Sequence, residues 1–116
     1  MAVKKLGRVA LPEGNPNIHA YEKEVDLTAA GDSDWFLISP SVNRVDVAVN
    51  PSGGAAASVI VTLSSKATVE SGAGIVEEVW PAGAVSSYRS DWVVPVTAIM
   101  LRQSGAGASK MLIRAQ

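Results

Sequence analysis

At 116 residues, 47% apolar and 5% aromatic with a net charge of −1, the chain is sized for one domain around one core and carries no cation excess that would draw nucleic acid. It has no cysteine and one histidine, which removes disulfides, thiolate chemistry and a His/Cys zinc site within one subunit, and suits a reducing or an oxidising compartment alike. No apolar run approaches the ~20 residues that span a bilayer, and Lys4 and Lys5 are not followed by an apolar leader, so neither a membrane partner nor an export signal is expected.

Residues 1–20 differ in composition from the rest. Lys4, Lys5 and Arg8 precede Pro12, Gly14, Asn15, Pro16 and Asn17, a mixture that resists regular structure and reads as an N-terminal arm. A first edge strand over Lys5–Leu11 is the alternative. Residues 21–116 read as one β-sandwich domain. Glu22 to Thr28 alternates, with Val25 and Leu27 on one face. A turn at 30–34 leads into the apolar strand Trp35-Phe-Leu-Ile38, stopped by Pro40. Val45, Val47 and Val49 alternate inward until Asn50-Pro-Ser-Gly-Gly54 breaks the run. Residues 57–64 place Val59, Val61 and Leu63 on one face, with Thr62 and Ser64 on the other. Further strands are expected at Ala67–Glu70 and Ile75–Trp80, separated by Ser71-Gly-Ala-Gly74; residues 86–91 carry no clear pattern. Val93–Val96 leads into a closing hairpin that pairs Val96–Gln103 with Ser109–Ala115 around Gly105 and Gly107. With no convincing 3.6-residue period, the whole predicts an all-β fold, an antiparallel jelly-roll-like sandwich of about eight strands. The second Ser-Gly-Ala-Gly, at Ser104–Gly107, is repeated turn chemistry, not a duplication.

The residues that could do chemistry do not form a constellation. His19 lies among asparagines, distant in sequence from the partners a triad needs. Asp26, Asp32 and Asp34 have the composition of a calcium turn but lack the ligand spacing and distal glutamate of a calcium loop. Glu77 and Glu78 are adjacent, so on a strand they face opposite ways and cannot act with Asp91 as a carboxylate pair. The glycine segments lack the Gly-Lys-Ser/Thr of a phosphate loop. No catalytic residue, metal or cofactor is therefore expected. Trp35, Trp80, Trp92, Tyr21 and Tyr88 fit either core positions or a stacking surface for sugar or protein; Trp80 and Trp92, beside turn signals, are the stronger interface candidates.

Trp80-Pro-Ala-Gly, a polar stretch, then Val94-Pro-Val-Thr-Ala-Ile-Met-Leu-Arg, Ser-Gly-Ala-Gly and a last apolar strand resemble the ending of small bacteriophage virion proteins of jelly-roll or related β-sandwich type. The likeness covers residues 75–115 and consists of strand and turn order. It implies a structural, non-enzymatic decoration or cement protein on the outer capsid surface, partnered by the major capsid protein. It also implies a homo-oligomer, trimeric by analogy, located in the virion and assembled in the host cytoplasm. The alternative is a carbohydrate- or receptor-binding module of a tail or fibre. Under the first reading the interface candidates are Lys4, Lys5, Arg8, Trp80 and Trp92. The basic arm is expected to meet a neighbour's acidic surface, with Glu22, Glu24, Asp26, Asp32 and Asp34 as its counterpart.

Overall fold

The computed structural model describes residues 3–5, 7–9, 20–38, 44–79, 88–93 and 96–115. These residues form the strands β1 (Val3–Lys5), β2 (Gly7–Val9), β3 (Ala20–Leu27), β4 (Gly31–Asp32), β5 (Trp35–Leu37), β6 (Arg44–Ser52) and β7 (Ala56–Thr62). A single helix, α1 (Lys66–Ser71), is followed by β8 (Glu78–Val79), β9 (Tyr88–Val93), β10 (Ala98–Ser104) and β11 (Ala108–Ala115). The first sheet has the order β1-β5-β10-β7-β8, with β4 also on β10, and the second has β2-β3-β11-β6-β9.

Strands β4 and β5 both pair with β10 and act as one strand interrupted at Ser33. There the ladder is kept by a side chain: the Ser33 amide donates to the Leu101 carbonyl at 2.8 Å, and Ser33 Oγ accepts from the Leu101 amide at 2.9 Å. With β4 and β5 counted together, eight strands follow the two short N-terminal ones. The first of the eight pairs with the last (β3 with β11), the second with the seventh (β5 with β10), the third with the sixth (β6 with β9) and the fourth with the fifth (β7 with β8). A long hairpin rolled over on itself gives this nesting, and it is the jelly-roll arrangement. β1 extends the first sheet by pairing parallel to β5, and β2 extends the second by pairing antiparallel to β3. The segment expected as an arm thus contributes two edge strands, Val3–Lys5 and Gly7–Val9, where one strand over Lys5–Leu11 was the alternative.

Burial explains which strand joins which sheet. In the second sheet only one face is dry: Val25, Val45, Val47, Val49, Met111 and Ile113 point into the core, while Glu24, Asp26, Lys110 and Arg114 alternate outward into solvent. The first sheet is covered on both faces. Phe36, Val59, Val61, Ile99 and Leu101 fill the core between the sheets, and Trp35, Leu37, Ile60, Ala98 and Met100 form a second cluster on the opposite face, capped by Val69 of α1 and flanked by Val3 and Ile75.

That covering helix replaces the strand expected at Ala67–Glu70. Ser65, extended at φ −60° and ψ 155°, caps the first turn by accepting from the Thr68 amide, and Gly72 ends the helix at φ 75°, its amide donating to the Thr68 and Val69 carbonyls. A serine and a glycine seven residues apart bracket one turn and a half, and burial of Val69 holds it in place. The turn expected at Ser71–Gly74 is this helix end. Of the strand expected over Ile75–Trp80, only Glu78–Val79 is paired; Trp80 lies outside the described residues. Leu63, expected inward beside Val59 and Val61, lies just past the end of β7 and is 60% exposed, whereas Thr62, expected to face away from the core, is fully buried on the face that α1 covers.

The closing hairpin is corrected as well. β10 and β11 are joined through Gly105 and Gly107 but do not pair with each other: β10 lies in the first sheet, β11 in the second, and the glycine loop is an arch between them. The connection from β6 to β7 is a second arch directly beside it, since Ser52 pairs with Ala108 and Ala56 with Ser104. Gln103, buried at the bend, ties the arch together. Its Nε2 donates to the carbonyls of Gly107 (2.9 Å) and Gly105 (3.3 Å), and its Oε1 accepts from Ser109 Oγ at 2.7 Å. Gln103→Leu leaves the Ser109 hydroxyl and two loop carbonyls without this partner, so it is expected to cost about 1–3 kcal/mol. Urea unfolding of the variant and of Gln103→Leu/Ser109→Ala measures the loss. The double variant removes one of the orphaned groups and is expected to recover part of it.

Candidate functional site

Of the five residues proposed as an interface, the four that are described fall on opposite edges of the sandwich. Lys4 and Lys5 lie on β1, opposite Phe36 and Leu37, at one end of the first sheet. Arg8 lies on β2, opposite Tyr21, at the corresponding end of the second. Trp92 lies on β9, opposite Val45, at the far end of that sheet, and Trp80 is outside the described residues. The basic positions and Trp92 are therefore not brought into one surface.

Four of the acidic residues expected to receive a neighbour's arm, Glu22, Glu24, Asp26 and Asp32, already have cations of their own chain. On the wet face of the second sheet, Lys110 Nζ is 2.7 Å from Glu24 and 3.9 Å from Asp26, and Arg114 Nε is 3.5 Å from Glu22. The alternation of β11 sets Lys110 between Glu24 and Asp26 of β3 and Arg114 opposite Glu22, a cross-strand arrangement that stabilises the pairing modestly and weakens with salt. The Glu24 and Asp26 carboxylates hold the exposed Lys110 ammonium above its ordinary pKa. A cation so raised stabilises the fold fully below the ordinary lysine range and loses that contribution as pH climbs through the raised value.

On the first sheet, Arg102 of β10 joins three segments. Its Nε and Nη2 meet the Asp32 carboxylate at 2.7 and 3.0 Å, and Nη2 also meets both Glu77 oxygens at 3.1 and 3.2 Å. The hydrogen bond to Asp32 is the main cause of a guanidinium pKa held well above its usual range, with Glu77 adding to it. A bidentate grip on one carboxylate with a second shared anion is a positioning device; it fixes the chain after α1 against the turn before β5.

Among the described residues the candidate chemical groups do not converge. Asp32 is taken by Arg102 and Asp26 lies beside Lys110. No group of three or more His, Cys, Asp or Glu side chains able to hold a metal occurs among the described residues. Glu77 belongs to the Arg102 network, Glu78 lies on β8 of the first sheet, and Asp91 is on β9 of the second, opposite Asp46. His19 lies outside the described residues. Of the aromatic residues, Trp35 is 2% exposed in the cluster beneath α1, and Tyr21 packs half-buried against the main core. Tyr88 occupies a position on β9 opposite Val49.

Sequence reasoning missed a surface at the β8 edge. Val76 and Val79 are 68% and 46% exposed, and the Val76 amide donates to Ser64 Oγ at 3.0 Å, which brings the exposed Leu63 segment beside them. Glu78, exposed between them in sequence, has no ionic or hydrogen-bonding partner among the described residues, unlike Glu22, Glu24, Asp26, Asp32, Glu70 and Glu77. The signal was available in Ile-Val-Glu-Glu-Val, whose short apolar positions do not alternate like those of a buried strand. Compared with known proteins, the chain matches no family model and no curated relative.

Proposed function

We propose that this chain is a structural virion protein, a capsid decoration or cement protein that binds the outer capsid surface as a homo-oligomer and stabilises the shell. The observation that carries the reading is the nested pairing of the eight principal strands: viral capsid proteins are among the chief users of the jelly roll. The step from fold to role is an analogy of architecture, and the resemblance of residues 75–115 to small phage virion proteins points the same way. The physical character of the domain suits the role. One sheet is buried on both faces, the other is covered by charges paired within the chain, and such a rigid block gains affinity on a symmetric lattice by repeated contact. Jelly rolls also serve as lectins. Burial of Trp35 removes one of the three tryptophans on which a sugar-stacking row would draw.

Purified protein added to expanded, undecorated capsids of the cognate phage is expected to bind saturably, at a fixed ratio to the major capsid protein, and to raise the melting temperature of the shell. No saturable addition overturns the virion reading. Binding to glycans in place of capsids establishes the lectin alternative.

A further inference from the structure

We infer that the edge of β8, which no other described strand covers, is a docking strip for the β1 edge of a second copy of this chain. The two strands are the opposite ends of one sheet. β8 runs antiparallel to β7, β7 to β10 and β10 to β5, while β1 runs parallel to β5, so β1 and β8 run in opposite directions. A second copy that continues the sheet edge to edge therefore sets its β1 antiparallel to the first copy's β8, the geometry of ordinary strand addition.

Charge selects this pairing over the symmetric ones. β1 carries Lys4 and Lys5; β8 carries Glu78, the described carboxylate left without a partner. Joining β8 to β8 across a two-fold axis sets Glu78 near its own copy, and joining β1 to β1 sets lysines against lysines, both unfavourable. Only the head-to-tail contact opposes unlike charges. Charged edge strands guard a sheet against its own kind; here the guards at the two ends have opposite signs, so they deter like edges and admit unlike ones. The exposed Val76, Val79 and Leu63 beside β8 supply apolar area that the contact covers. A head-to-tail contact uses two different surfaces and closes into a ring when its rotation allows.

The inference rests on the self-association part of the reading above and needs no capsid. Sedimentation velocity of the full chain over a concentration series is expected to show reversible oligomers that weaken with added salt. Glu78→Lys alone, and Lys4→Glu with Lys5→Glu, are each expected to weaken association about tenfold. The three changes together, which reverse both edges, are expected to restore it. If a reversed chain loses its β-type circular dichroism, Glu78→Gln and Lys4→Gln/Lys5→Gln take its place, and each must weaken association. A chain monomeric at every concentration, a reversal or neutral version without effect, or a triple variant that folds and stays dissociated overturns the inference. A monomer that still decorates capsids overturns this contact and leaves the virion role; an oligomer that ignores capsids does the converse.

Discussion

Gly107→Val is expected to destabilise the fold severely. Two effects coincide there. Gly107 has φ +110°, a conformation that side-chain-bearing residues rarely adopt, and a Cβ built on it meets the backbone of the neighbouring arch, with the Ser52 carbonyl oxygen at 2.3 Å and the Gly53 carbonyl oxygen and carbon at 2.6 and 2.8 Å. None of these atoms can swing aside like the end of a side chain. Relief requires the two arches to separate, which disturbs the Gln103 bonds that tie the loop to β11. Backbone strain of about 1–3 kcal/mol together with overpacking of about 1–3 kcal/mol removes a large part of the ~5–15 kcal/mol by which such domains are stable. Gly31→Val is the control: its φ of +144° carries strain, but nothing lies within 4 Å of the added Cβ. In urea unfolding with unchanged m, the Gly107 variant is expected to have a clearly lower midpoint than the Gly31 variant. Equal midpoints show that the arches do not touch as described.

Gly107 and its neighbour Gly105 illustrate what the sequence could and could not convey. Gly105 and Gly107 mark a tight reversal, and the reversal is present; what they cannot state is whether the strands on either side rejoin in one sheet or separate into two. The strands themselves hold part of that information. Ala98, Ile99, Met100 and Leu101 form an unbroken apolar run, as do Trp35 to Ile38 and Val59 to Val61, and all three runs lie in the sheet buried on both faces. Glu22 to Leu27 and Val45 to Val47 place charged residues between apolar ones and lie in the sheet with one wet face, but that sheet also holds Met111-Leu112-Ile113, an apolar run as long as Val59 to Val61. A continuous run and an alternating one seldom belong side by side in a half-exposed sheet, which separates β10 from β3, while Met111-Leu112-Ile113 leaves β11 compatible with either sheet until its partners β3 and β6 are known. The inward faces at Val45, Val47 and Val49 were read from alternation alone. The helix was harder to see: six residues with one buried side chain give no period, and Ala67–Glu70 has strand-compatible residues, so only the Ser65 and Gly72 caps distinguish it. At the β8 edge the exposed valines were legible, but the missing partner of Glu78 was out of reach for another reason. Whether Glu78 lacks a partner depends on where Arg102, Lys110 and Lys66 go, and their partners are fixed by register between strands distant in sequence.

Trp35→Ala is expected to lower stability by about 3–5 kcal/mol, the range for removing a large buried aromatic side chain. The position decides between two roles that the sequence left open for this residue. Trp35 is 2% exposed and packs with Leu37, Ile60, Ala98, Met100 and Val69 on the face of the first sheet away from the main core. The side chain is therefore the floor on which α1 rests, and its removal leaves Val69 over a void where a six-residue helix has no other buried side chain to hold it. Loss of the indole should thus free the helix before the sandwich unfolds. Hydrogen exchange at the Val69 and Gly72 amides, which close the helix on Ser65, Thr68 and Val69, is expected to accelerate more than exchange at the Met111 and Ile113 amides of β11 in the other sheet. Val69→Ala is expected to reproduce the selective loss with a smaller fall in global stability. A Trp35→Ala protein with wild-type unfolding midpoint and lost ligand or capsid binding contradicts this placement, because a residue that acts at a surface can be removed without cost to the fold.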